Sequence, residues 1–160
     1  MKNNTTLSIA IASFLLIGLN ARAQKTDFSE SWILNKESSE FGDISPNSAA
    51  ISLKVVQDKD RITIERRQKT AAGELDYTEN LTFDSKPAET SIKEGIKRTS
   101  SAKWSADGKT LTEQSTYSNG QKSTETWAIL TDGDGQLLVR KEVELDGDVH
   151  SVQYLYDKQK

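Results

Sequence analysis

The chain has 160 residues, with 21 basic and 24 acidic side chains, one histidine and no cysteine. Its formal charge of −3 argues against a general binder of nucleic acid or of anionic membrane surface, since both need a net basic face. Without cysteine there is no disulfide, and metal centres built on Cys and His clusters are excluded.

Residues 1–23 read as a cleavable signal peptide. Lys2 precedes an apolar stretch from Leu7 to Leu19, and Ala21-Arg22-Ala23 has the small-x-small form of a cleavage site. As a helix, that stretch would reach roughly 20 Å, short of a hydrocarbon core of about 30 Å, so no membrane span is expected. Cleavage between Ala23 and Gln24 would leave one domain, 24–160, with Lys2 and Arg22 removed and a formal charge of −5. The expected destination is export, to a periplasm or beyond the cell.

From there a single unit recurs, a run of about eight residues rich in Ile, Val, Thr, Tyr and Trp closed by Asp, Asn or Gly. Strands are predicted over 32–34, 50–57, 61–68, 74–83, 96–104, 110–117, 123–130, 136–145 and 148–156. The turns fall at Asp58-Lys59-Asp60, Ala72-Gly73, Asp107-Gly108, Asn119-Gly120, Asp132 to Gly135 and Asp146-Gly147. Two links are longer. Residues 35–48 have room for one helical turn around 36–41, and 84–95, with Pro87, is a loop or one more short edge strand near Ser91 and Ile92. About eight to ten strands joined by hairpins favour an all-β, single antiparallel up-and-down barrel, because closure removes the exposed edges of a flat sheet. A two-sheet sandwich is the rival, although it usually needs long crossings.

Phe28-Ser29-Glu30-Ser31-Trp32-Ile33-Leu34-Asn35, the following Lys36 to Gly42, the Lys103 to Thr112 hairpin and Glu125-Thr126-Trp127 resemble small exported bacterial proteins of lipocalin-like (calycin) type. Lipocalins place the Trp of a Gly-x-Trp motif at the closed end of the barrel, and Trp32 stands at the matching point, with Glu30 where the motif has Gly. The resemblance implies a barrel able to hold a small apolar molecule.

Side chains alternate along a strand, so the more apolar face marks the interior. For the last five strands the inward sets are Ile96 to Trp104, Leu111 to Tyr117, Ser123 to Ile129, Leu137 to Leu145 and His150 to Tyr156, taking every second residue. Folding them about their turns predicts an apolar floor of Trp104, Leu111, Ile129, Leu137 and Tyr156. Polarity rises toward the Arg98 end, and Glu125 and Lys141 become cross-strand neighbours. Inward Arg98, Glu113, Glu125 and Lys141 must each meet a partner, water or a ligand. One outcome is a cavity in which Arg98 or Lys141 anchors an anion beside Glu125, with Trp127, Tyr117 and Tyr154 as apolar wall. The other is an ordinary packed barrel.

No catalytic constellation stands out. His150 and Ser151 point to opposite faces of one strand, and no Gly-x-Ser-x-Gly elbow exists. In Asp132-Gly133-Asp134-Gly135 the later positions of a calcium loop fall on Leu137 and Val143, which do not fit. The expected function is therefore non-enzymatic. It is binding of a small apolar or amphiphilic, optionally anionic, molecule at Arg98, Tyr117, Glu125, Trp127, Lys141 and Tyr154, with no cofactor, metal or nucleic acid. The alternative is an envelope interaction module with a filled barrel.

Overall fold

A computed structural model describes residues 24–131 and 135–160. The expected signal peptide, 1–23, lies outside the described residues, as do 132–134 of the Asp132 to Gly135 turn. The described residues form ten strands, β1 (Glu30–Glu40), β2 (Ala50–Gln57), β3 (Arg61–Thr70), β4 (Gly73–Thr82), β5 (Ala88–Lys93), β6 (Ile96–Trp104), β7 (Leu111–Tyr117), β8 (Lys122–Ile129), β9 (Leu137–Leu145) and β10 (Asp148–Lys158).

All pair antiparallel in one sheet, in the order β4-β3-β2-β1-β10-β9-β8-β7-β6-β5. Each strand pairs with its chain neighbours, except that β1 also pairs with β10 and no ladder joins β4 to β5. Those two strands lie side by side, so the sheet is a nearly closed up-and-down barrel with one seam. Among the described residues no helix is long and apolar enough to cross a membrane.

Two elements differ from the prediction. The helical turn expected at 36–41 is instead the far half of β1, whose register against β10 shifts between Asn35 and Glu40. Asn35 absorbs the irregularity, because its Oδ1 accepts from the Ser38 amide at 3.1 Å and its carbonyl from Ser39 Oγ at 2.7 Å. The optional edge strand near Ser91 and Ile92 is real and is β5. The only helical piece among the described residues is a 3₁₀ turn, Pro46–Ser48, between β1 and β2.

The hairpins set the register. Asp146 and Gly147, with φ of 53° and 90°, form the two-residue turn whose twist matches its strands, and Leu145 stands opposite Asp148. At the β7–β8 turn the chain reverses over Ser118 to Gly120, with the Gly120 amide donating to the Tyr117 carbonyl at 2.9 Å. Ser115 therefore faces Ser123, and Leu111 faces Trp127, where the predicted floor set Leu111 beside Ile129. A slip of two residues keeps every side chain on its own face, so the predicted interior survives while its layers shift.

One end of the barrel is closed. Phe28 stacks on Trp104 at 5.6 Å and meets Trp127 edge-on at 6.0 Å, and Phe83 meets Trp104 at 5.4 Å. Trp32 is buried there, its indole N–H donating to the Phe28 carbonyl at 3.0 Å, at the position the lipocalin likeness implied. The segment before β1 crosses this end and is pinned by the Thr26 amide to the Gly108 carbonyl at 2.9 Å. Gly108 has φ of +68°, and a Cβ there would lie 3.0 Å from the Gln24 carbonyl oxygen, so glycine is required by both backbone and space.

Candidate functional site

Above the aromatic end the interior is charged. Alternation along β3 points Ile62, Ile64 and Arg66 inward, and along β4 it points Tyr77, Glu79 and Leu81 inward. The side chains of Arg66, Glu79, Arg98, Glu113 and Glu125 are buried, and Lys141 is nearly so at 11 % side-chain exposure. These six belong to six different strands.

They form one closed ionic cluster. Arg66 Nε donates to Glu79 Oε2 at 2.6 Å, and its Nη2 donates to Glu113 Oε2 and Glu125 Oε2, both at 2.9 Å. Arg98 donates through Nη2 to Glu113 Oε1 at 2.6 Å, through Nη1 to Glu79 Oε2 at 3.2 Å, and through Nε to Ser115 Oγ at 2.9 Å. Lys141 Nζ lies 3.1 Å from Glu125 Oε1. Three cations face three carboxylates, which is the balance a buried cluster needs if no charge is to stand uncompensated.

The two-residue slip explains why Arg66 is required. It sets Glu113 directly opposite Glu125, a like-charge pair that is unfavourable by itself. Arg66 reaches across from β3 and donates to both. The surroundings divide the two carboxyls. Burial raises both; for Glu125 it is outweighed by Arg66, Lys141 and Arg98, which hold the group well below the usual carboxylate range. For Glu113 burial, with Glu79 and Glu125 near, outweighs Arg98 and Arg66 and pushes the group up to about 7. Burial opposes the charge on Lys141, yet Glu125 beside it raises the ammonium above its ordinary value, so it stays charged.

The other end of the barrel is open, and a cup of about 300 Å³ lies there. Ile44, Leu75, Ile92, Ile96 and Val143 supply its apolar wall, and Gln68, Tyr117, Ser123 and Lys141 its polar side. Beneath it a chamber of only about 40 Å³ is lined by Tyr77, Tyr117, Glu125, Lys141 and Tyr154 among others. That is room for little more than a water molecule, whose share of the liquid is about 30 Å³.

The six residues singled out from sequence therefore separate. Tyr117 and Lys141 line both spaces, while Glu125 and Tyr154 line only the small chamber, where the Tyr154 hydroxyl shares a 2.8 Å hydrogen bond with Ser48. Arg98 and Trp127 are 1 % and 0 % exposed and line neither space. Each of Arg98's three guanidinium nitrogens donates inside the cluster, to Ser115, Glu79 and Glu113, so the anion it was expected to anchor is an internal one. Trp127 lies instead under Arg66, 5.3 Å from its guanidinium carbon.

Sequence reasoning missed Arg66, Glu79 and Ser123's place at the cup. The signal for the first two was present, because each continues the apolar alternation of its strand, Ile62-x-Ile64-x-Arg66 and Glu79-x-Leu81. Nothing in the sequence shows that they meet Glu113 and Glu125 across the barrel. No family model matches the chain, and no curated protein matches it.

Proposed function

We propose that this is an exported, non-enzymatic binding protein that holds a small, partly apolar molecule in the cup at the open end of its barrel. The observation that carries this reading is the cup itself, a concavity with apolar walls and a few convergent polar groups, at the lower end of the size range of small-molecule sites. The ionic cluster supports it, because six oppositely charged side chains bonded to one another hold the barrel apart below the cup and keep the apolar wall from collapsing inward. The leader-like sequence of residues 1–23 supports export, and the lipocalin-type likeness fits a carrier.

Native mass spectrometry of protein purified from its own host, with displacement of anilinonaphthalene sulfonate, tests the reading. The expected result is a bound mass or a saturable, displaceable dye site that Ile96→Trp, which fills the cup, removes without loss of the fold. A ligand-free mass together with dye uptake that is not saturable would overturn it. The filled interior favours a second reading, an interaction module of the cell envelope that acts through its outer face or rim. On that reading Ile96→Trp leaves function intact.

A further inference from the structure

We propose that the floor of the cup is a carboxylate subsite, in which Lys141 and Ser123 hold the head of a monocarboxylic amphiphile whose chain runs outward along the apolar wall. This rests on the ligand-binding reading above and names the chemistry that the site selects.

Ser123 supplies the first observation. Ser100, Ser115 and Ser123 stand in one register across β6, β7 and β8. Ser100 and Ser115 share a hydrogen bond at 2.8 Å and are tied to Arg98 and Glu79, whereas Ser123, which is 5 % exposed and lines the cup, has an Oγ without a partner among the described residues. Folded proteins keep few such orphans, and a hydroxyl left so beside a concavity points to a group that arrives from outside.

Lys141 supplies the second. An ammonium has three donors, and among the described residues this one meets only the Glu125 carboxylate. Glu125 is also approached by Arg66 at 2.9 Å and Arg98 at 3.8 Å, so three cations converge on one carboxylate at the cup end of the cluster. Both guanidiniums are sealed beneath. Of the three cations in the cluster Lys141 is the one that lines the cup, whose other cation, Lys93 at the end of β5, is exposed. Lys141 is also a diagonal neighbour of Ser123 across β8 and β9, since Ser123 faces Val143 and Glu125 faces Lys141. The Lys141 ammonium and the Ser123 hydroxyl beside it suit a singly charged head with two acceptor oxygens, and a cationic head would meet Lys141.

Calorimetric and NMR titration of the purified protein with carboxyl-¹³C octanoate, beside 1-octanol of the same chain length, tests this. Octanoate is expected to bind saturably and roughly tenfold or more tighter than octanol, with Ser123→Ala weakening octanoate severalfold and octanol little. Lys141→Met is expected to erase the preference. Should Lys141→Met fail to fold, the effect of Ser123→Ala and contacts between the labelled carboxyl and the Ser123 and Lys141 methylenes decide the matter. Equal binding of the two ligands, unmoved by Ser123→Ala, would overturn the carboxylate subsite while leaving the cup as a binding site. Saturable binding by neither would overturn the binding reading itself.

Discussion

Glu113 receives hydrogen bonds from two guanidiniums and is nonetheless pushed up to about 7, because its complete burial and two neighbouring carboxylates outweigh those contacts. This fixes the sign of a pH effect. Between about 4.5, the ordinary value, and 7, the folded protein holds a proton that the unfolded chain has lost, so Glu113's contribution to stability falls as pH rises through that window. Glu125, held low, acts oppositely, and its contribution is present above about 4.5 and lost as pH falls below it. Urea denaturation between pH 4.5 and 8 is expected to show Glu113→Gln flattening the wild-type decline between pH 5 and 7. An unchanged slope would place the titrating proton elsewhere. At this scale the Glu125–Lys141 contact was legible in the sequence, since hairpin turns dictate which residues face each other. The partnership of Arg66 with Glu113 was not, because 47 positions separate them and no turn relates their strands.

β4 and β5 lie side by side without a ladder, and the cluster crosses the seam between them from inside. Glu79 of β4 is bonded to Arg66 of β3 and to Arg98 and Ser100 of β6. Side-chain charge thus does for this seam what backbone hydrogen bonds do for the other strand pairs. Glu79→Gln leaves two buried guanidiniums short of a partner and is expected to cost about 3–5 kcal/mol, the usual result of breaking a buried ion pair. Hydrogen exchange should show β4 and β5 losing protection before β9 and β10. Glu89→Gln, which removes an exposed pair with Lys97 on the outer face, is expected to change little. Equal effects of the two substitutions would refute the clasp. The strands themselves were readable from period-two alternation. The extension of β1 to Glu40 was not, because Lys36 to Ser39 is polar and mostly exposed and shows no alternation, and only its pairing with β10 makes it a strand.

The whole molecule closes only when its ends meet, since β1 pairs with β10. Removal of residues 148–160 would expose the edges of β1 and β9 and strip Val152, Tyr154 and Tyr156 from the core. The truncated chain is therefore expected to lose its cooperative thermal transition and to aggregate, as read by circular dichroism and sedimentation. A soluble fragment that melts cooperatively would show that the remaining strands suffice. By itself the sequence determined the all-β character, the up-and-down order, the inward faces of the last five strands and the rise of polarity toward the Arg98 end. These follow from alternation and turn chemistry, which act between near neighbours in the chain. The tertiary structure decided that Arg98 is sealed, that Arg66 and Glu79 complete the ionic cluster, and that Lys141 and Ser123 remain at the open cup. Those outcomes depend on which strands face each other through the barrel, a relation set by closure and not by any local pattern.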